Sequence, residues 1–331
     1  MTLTVPAATS GRARVFDYMQ GHVVTSVVAA LEALGALDRL AADGLRASDL
    51  GPNKFLADAT LRYLAQRDLV RREQDGIYRF TEIGRELYES RGYLVWLGGG
   101  YAEPLARLDR LINGEQSFGV EVDRNVRWVA VGTAEAGRRD LRPEVLTLLR
   151  EIEFERAVDI GCGNAHFLIG LCGLFGASGI GIDISPDACA EALQEVASAG
   201  MQDRIRIVRA NACEVASVPE LENVQLVVAS FFLHEVLEGG VQVLVDYLRA
   251  MCQRLPVGAH LMAAEIAPPR EDHDTGELVS PEYTLTQALM KQILFDEQQW
   301  RQVFTEAGFE VVKVVHPNLP EAQLILARKP S

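Results

Sequence analysis

The chain has no Cys-x-x-Cys pair, no apolar run of membrane-spanning length and no excess of positive charge. Each absence removes a class of answer. Cys162, Cys172, Cys189, Cys213 and Cys252 are scattered and odd in number, which argues against a disulfide framework or a zinc knuckle and predicts reduced thiols in a cytoplasmic protein. The longest apolar stretches, near 93–101 and 226–233, fall well short of the roughly 20 residues that a membrane helix needs. The first residues, MTLTVPAATSGRARVF, lack the apolar segment of a signal peptide. A formal charge of −14 argues against a nucleic-acid partner, because a phosphate backbone calls for a basic face. No internal repeat or low-complexity tract stands out.

What is present is a long chain with ample core-forming material. Its 331 residues, 48% of them hydrophobic, suit two domains. Residues 14–42 carry apolar positions at helical spacing, broken near Gly35. Two short helices are predicted over 47–56 and 59–67. Residues 69–72 and 78–80, joined through Asp75-Gly76, read as a hairpin, and Thr81-Glu82 starts another helix. Helix–turn–helix plus hairpin is a winged-helix pattern. Residues 1–90 hold 11 Lys/Arg against 12 Asp/Glu, so this segment is expected to dimerise or cap a substrate site, and the reading as a DNA-binding regulator is disfavoured. Residues 92–150 look like a helical connector, with a helix near 102–112.

From residue 155 strands and helices alternate, which implies a parallel sheet covered on both faces. Strands are predicted at 156–160, 179–183, 205–209, 225–229, 259–264, 310–315 and 323–327, the last two as a hairpin. The first of them runs into AVDIGCGNAHFLIGL, residues 157–171. There an apolar strand carrying Asp159 meets the turn Gly161-Cys162-Gly163 and then a helix, whose first N–H groups are open to a ligand. Asp183 ends the next strand 22 residues after Gly161, where an acid can hold the ribose hydroxyls of an adenosine ligand. His166 occupies the third glycine position of the dinucleotide fingerprint, and no phosphate-loop motif exists. The expected ligand therefore has no pyrophosphate.

The ordered series VDIGCGNAHFL, GIGIDIS, RIVRANACEV, LVVASFFLHEVL, AHLMAAEIAPP and WRQVFTEAGFEVVKVV, over about 155–328, resembles class I S-adenosylmethionine-dependent methyltransferases. The resemblance implies a doubly wound, Rossmann-like α/β fold with a seven-stranded sheet behind an N-terminal, mainly helical, winged-helix-like domain. It implies domains at 1–100 and 151–331 with the connector at 101–150, and a homodimer acting on a small molecule. By the same resemblance Asp159, Gly161 and Gly163 face the methionine part of S-adenosylmethionine, Asp183 the ribose and Ile184 the adenine. Asn211 stands where many relatives have Asp to read the adenine amino group. Ser230, at the end of the fourth strand, is counted with these cofactor residues.

Methyl transfer to a weak acid needs a base held near the methyl carbon. His234 follows the fourth strand, at the edge where open α/β sheets bind ligands. With the N-terminal half, it resembles two groups. In small-molecule O-methyltransferases the segment reads His-Asp-Trp, with the His as base; here it reads His234-Glu235-Val236 and the Trp is missing. In 2-oxo acid C-methyltransferases the His-acid pair helps bind a metal, divalent or iron, so His234 and Glu235 are the candidate ligands. The third His expected around 283–290 is absent, and Gln287 stands near that place. His260 and His273 read as strand or surface residues. Residues 268–282 read as a polar, acidic loop over the pocket mouth, and Glu265 is expected to orient substrate or pair with His234. C-methylation of a 2-oxo acid leads, O-methylation follows, and cyclisation of the cofactor with release of methylthioadenosine stays open.

Overall fold

The structure, a computed structural model, describes residues 11–268 and 281–331. The chain divides into two compact units, Met1–Arg139 and Asp140–Ser331. The expected loop at 268–282, with His273, lies almost wholly outside the described residues.

In the first unit α1 (Gly11–Ala33) and α2 (Ala36–Ala42) are separated at Gly35, which takes φ 57°. The two helices expected at 47–56 and 59–67 are instead a single 3-10 turn, Ala47–Asp49, and α3 (Lys54–Gln66). Gly51-Pro52 interrupts the first, and the Asn53 side chain caps the second by accepting Leu56 N–H at 3.1 Å. Strands β1 (Val70–Arg72) and β2 (Tyr78–Phe80) form the expected hairpin, with Asp75 accepting Ile77 N–H at 2.9 Å. Thr81 then caps α4 (Glu82–Glu89) through Gly84 N–H at 3.0 Å.

Next come α5 (Arg91–Val95), a π-helical turn Trp96–Gly100, and the short α6 (Ala102–Ala106) and α7 (Leu108–Ile112) in place of one continuous helix. Then α8 (Val126–Asp140) packs closely on the Trp96 turn. A Cβ on Gly132 would meet Trp96 N at 2.5 Å, so only glycine allows that approach. The core of this unit joins Val28, Leu31, Leu37, Leu61, Tyr78 and Phe80. Arg91, 5% exposed, sits within it among Glu32, Asp38 and Glu135.

The second unit opens with α9 (Arg142–Leu149) and then alternates: β3 (Arg156–Ile160), α10 (His166–Phe175), β4 (Ser178–Asp183), α11 (Pro186–Ser198), β5 (Ile205–Arg209), β6 (Leu226–Ser230), α12 (Leu233–Leu237), α13 (Val241–Arg254), β7 (His260–Ile266), α14 (Pro281–Met290), α15 (Glu297–Glu306), β8 (Glu310–Val315) and β9 (Ala322–Arg328). The sheet has seven strands in the order β5-β4-β3-β6-β7-β9-β8. β3 to β7 are parallel, and β9 runs antiparallel between β7 and β8. The central strands are apolar because both faces are covered; in β3, β6 and β7 nearly every residue is buried. The chain winds outward from β3 in one direction and from β6 in the other. That reversal opens a crevice at the carboxyl ends of these two neighbours, the usual ligand position of such sheets.

Candidate active site

Two turns border the crevice. After β3, Gly161 at φ 74° and Gly163 at φ 52° take left-handed conformations that glycine adopts without strain. The Gly161 and Cys162 amides both donate to Ile182 O, at 2.8 and 2.9 Å, which ties the turn to β4. Asp183, at the end of β4, completes the tie: one carboxylate oxygen accepts Gly163 N–H at 3.0 Å and the other Ser185 N–H at 2.8 Å. The glycine turn after β3 and the acid that ends β4 are thus parts of one loop system. Asp159 is 4% exposed, and no hydrogen bond or ion pair answers it among the described residues. Burial first, and then the charge of Asp183, push its carboxyl up to about 7. Burial also raises the Cys162 thiol and keeps it protonated.

Ile184, next to Asp183, is 63% exposed, unusual for an isoleucine at a strand end. Asn211 stands in the loop after β5 with its side chain engaged locally: Nδ2 donates to Glu214 at 3.2 Å and Oδ1 accepts Cys213 N–H at 3.2 Å. Ser230, half-buried, ends β6 opposite Ala264 of β7.

On the other side of the crevice, His234 and Glu265 meet. His234 Nδ1 lies 2.8 Å from Glu265 Oε2, while Glu265 Oε1 accepts Phe232 N–H at 3.0 Å and Leu233 N–H at 2.6 Å. The carboxylate is 2% exposed and the imidazole 22%, so one end of the ring is locked and the ring stays partly accessible. An ionised carboxylate only accepts, so Nδ1 carries the proton and Nε2 is left with its lone pair. Burial lowers the pKa of His234, but the charge and hydrogen bond of Glu265, with Glu235 and Glu238, outweigh it and raise the pKa above the usual value.

Glu235 does not join this pair. It is exposed, because consecutive residues of a helix point about 100° apart. Gln287 has a buried side-chain oxygen without a hydrogen-bond partner. Among the described residues no three His, Cys, Asp or Glu side chains gather as a metal-ligand set. With Nδ1 held by Glu265, His234 has only Nε2 to offer a metal, and no three-ligand set forms around it among the described residues.

The comparisons with known proteins point the same way as the crevice. A family model described as a methyltransferase domain matches residues 157–258. The 2-ketoarginine methyltransferase of Streptomyces arginensis is 32% identical over 296 residues, 85% of this chain and 82% of that protein. This chain belongs to the class I S-adenosylmethionine-dependent methyltransferases. The indolepyruvate C-methyltransferase of Streptomyces griseus is 28% identical over 310 residues, 90% of each chain. Human N-acetylserotonin methyltransferase, solved with S-adenosylmethionine, superposes with a TM-score of 0.67 over 99% of this chain and all of that one; at 18% identity it shows the shared fold. The methyltransferase uses S-adenosylmethionine as its cofactor and acts on a small metabolite.

One buried polar residue of this methyltransferase was missed by sequence reasoning. Gln323 of β9 is fully buried, stands directly opposite Glu265 in register, and donates through Nε2 to Phe295 O at 2.7 Å. Its signal was a lone amide at the head of the apolar run QLILA.

Proposed function

We propose that this methyltransferase C-methylates a 2-oxo acid, with His234 as the base on the acceptor side. The observation that carries the reading is the His234–Glu265 pair, an oriented imidazole at the carboxyl edge of β6. The two Streptomyces relatives, named for 2-ketoarginine and indolepyruvate, supply the acceptor class. The pair holds Nε2 free to take the proton from the carbon next to the oxo group, and Glu265 stabilises the imidazolium that forms. S-adenosylmethionine, when bound, supplies the electrophilic methyl group.

Asp159, Gly161 and Gly163 would hold the methionine part of the cofactor. The buried, unanswered carboxylate of Asp159 fits a cationic group, and the Gly163 position has open space where a Cβ would stand. Asp183, with both oxygens pre-set by backbone amides, would take the ribose hydroxyls, and the exposed Ile184 would cover the adenine. Asn211 would meet the adenine edge only by exchanging its present partners, and Ser230 would line the floor of the site.

The first unit is read as a winged-helix-like dimerisation module. On α1, Val15, Phe16, Tyr18 and Met19 are exposed, and an apolar groove of about 420 Å³ runs between α1 and α3. A second copy of the chain is the partner proposed for that face. Five free cysteines, four of them buried, suit a reducing compartment such as the cytoplasm, and no described helix is long and apolar enough to cross a membrane.

Incubation with S-adenosylmethionine and a panel of 2-oxo acids and phenols tests the function. S-adenosylhomocysteine together with a C-methylated oxo acid is the expected outcome. Methylation confined to phenols would replace the reading with O-methylation, and methylthioadenosine as product would replace it with cofactor cyclisation.

A further inference from the structure

The turn after β6 meets the same geometric demand as the turn after β3, with the opposite kind of residue. After β3 the left-handed positions nearest the strand are glycines; after β6 the left-handed position is Phe231, at φ 53°. A bulky side chain in that conformation is strained, because Cβ crowds its own carbonyl. Strain of this kind persists where the surroundings over-determine the backbone. Here they do: Phe231 N–H donates to Ala264 O at 2.7 Å, and the next two amides donate to the buried carboxylate of Glu265. The turn is anchored to β7 on three consecutive residues.

Among the described residues, the ring at this position stands outside the buried cluster of the second unit. Phe232 is buried in the cluster that includes Ile160, Leu233 and Tyr247. Phe231 is only half-buried, and belongs neither to that cluster nor to the partly buried side chains packed on it. Glycine would meet the backbone requirement with less strain, so an aromatic here is of use through what its ring touches. It lies three residues before His234, across the crevice from the glycine turn.

We propose that Phe231 is a specificity-determining residue that contacts the methyl acceptor, its ring forming the apolar wall beside His234. The inference rests on the reading of His234 as the acceptor-side base. The acceptor class is an acid with a flat or hydrocarbon substituent near its reacting carbon.

The experiment compares wild type with Phe231→Gly and Phe231→Leu. It measures the thermal midpoint, S-adenosylhomocysteine affinity by calorimetry, and kcat and KM on aromatic and aliphatic 2-oxo acids and on phenols. Phe231→Gly should melt at or above wild type, keep its S-adenosylhomocysteine Kd within about threefold, and raise KM of the best acceptor by about tenfold or more. Phe231→Leu should retain more of the acceptor affinity. A midpoint several degrees lower in Phe231→Gly would make the ring a packing residue and overturn the proposal. So would an unchanged KM, or a parallel loss of S-adenosylhomocysteine binding. A wild type active on phenols alone would sink the 2-oxo acid reading, while the KM comparison on that phenol would still decide Phe231.

Discussion

Asp159 and Glu265 occupy matching places on the two sides of the crevice, near the carboxyl ends of β3 and β7 with β6 between them, and both are almost completely buried. Their surroundings are opposite. Glu265 is answered by two backbone amides and an imidazole. Asp159 faces only burial and another carboxylate. A buried charge that is fully hydrogen-bonded rigidifies its neighbourhood, whereas one without a partner destabilises the fold until a ligand supplies the partner. On the proposed assignment of the site, the reaction side is therefore built complete, and the cofactor side is built to be completed. The first unit shows a third arrangement, in which Arg91 closes the charges of Glu32, Asp38 and Glu135 within the protein.

The comparison breaks most directly at His234. His234→Ala should lower turnover by roughly 10²–10⁴, the usual span for a lost acid–base group, with cofactor affinity nearly unchanged. Steady-state rates beside calorimetry check this, and near-normal turnover would remove His234 from the chemistry. Because the pKa of His234 is raised, the unprotonated base gains population only as pH rises through a value above 6.5, so the acid limb of the rate profile should lie above that.

Glu265→Ala tests the structural half of the same side. Removing the carboxylate leaves buried amides unpaired and should cost about 3–5 kcal/mol of stability by denaturant unfolding, the range for a broken buried pair. A loss under about 1 kcal/mol would show that the turn holds without it.

Asp159→Asn should act in the other direction. A carboxyl raised from 3.8 to about 7 keeps in the folded state a proton that the unfolded chain has lost. Its contribution is favourable below pH 3.8 and is lost as pH rises through about 7. The isosteric amide should therefore stabilise the ligand-free protein by about 2–4 kcal/mol at pH 8, less at pH 5, while weakening cofactor binding. A neutral or destabilising result would mean that the carboxylate finds compensation in the fold.

Smaller effects sharpen the picture. Asp183→Ala should weaken S-adenosylhomocysteine by about 2–3 kcal/mol through loss of charge-assisted hydrogen bonds. Glu235→Ala should change the rate by less than about tenfold and shift the acid limb slightly downward, since Glu235 helps raise the His234 pKa. A loss as deep as that of His234→Ala, reversed by added metal, would restore the metal reading of His234-Glu235.

Local pattern carried much of this protein. All seven strands of the sheet stand within two residues of where apolar runs and turn residues put them, because a strand buried on both faces reads as a short apolar run between polar ends. The turn Gly161-Cys162-Gly163 and the acid Asp183 were legible for the same reason, since each is defined by its own few neighbours in the chain. The helix expected at 47–56 failed because Gly51-Pro52 outweighed the apolar spacing around it.

The groups proposed for the reaction were only half legible. His234 and its neighbour Glu235 stood out as a pair by adjacency, but helix geometry turns Glu235 outward. The partner of the imidazole is Glu265, the residue expected to orient substrate or pair with it, from 31 residues away. The order β6-β7-β9 brings Glu265 beside His234 and sets Gln323 opposite it. Nor does composition show that Phe231 would take the left-handed backbone that glycine takes at Gly161. The chain by itself determined which segments become strands and which glycine turn and acid border the crevice, because those follow from hydrophobic period and turn chemistry. Only the tertiary structure decided which carboxylate is left without a partner among the described residues and which one orients His234, because burial and hydrogen-bond partners come from strands that sequence separates and the sheet brings together.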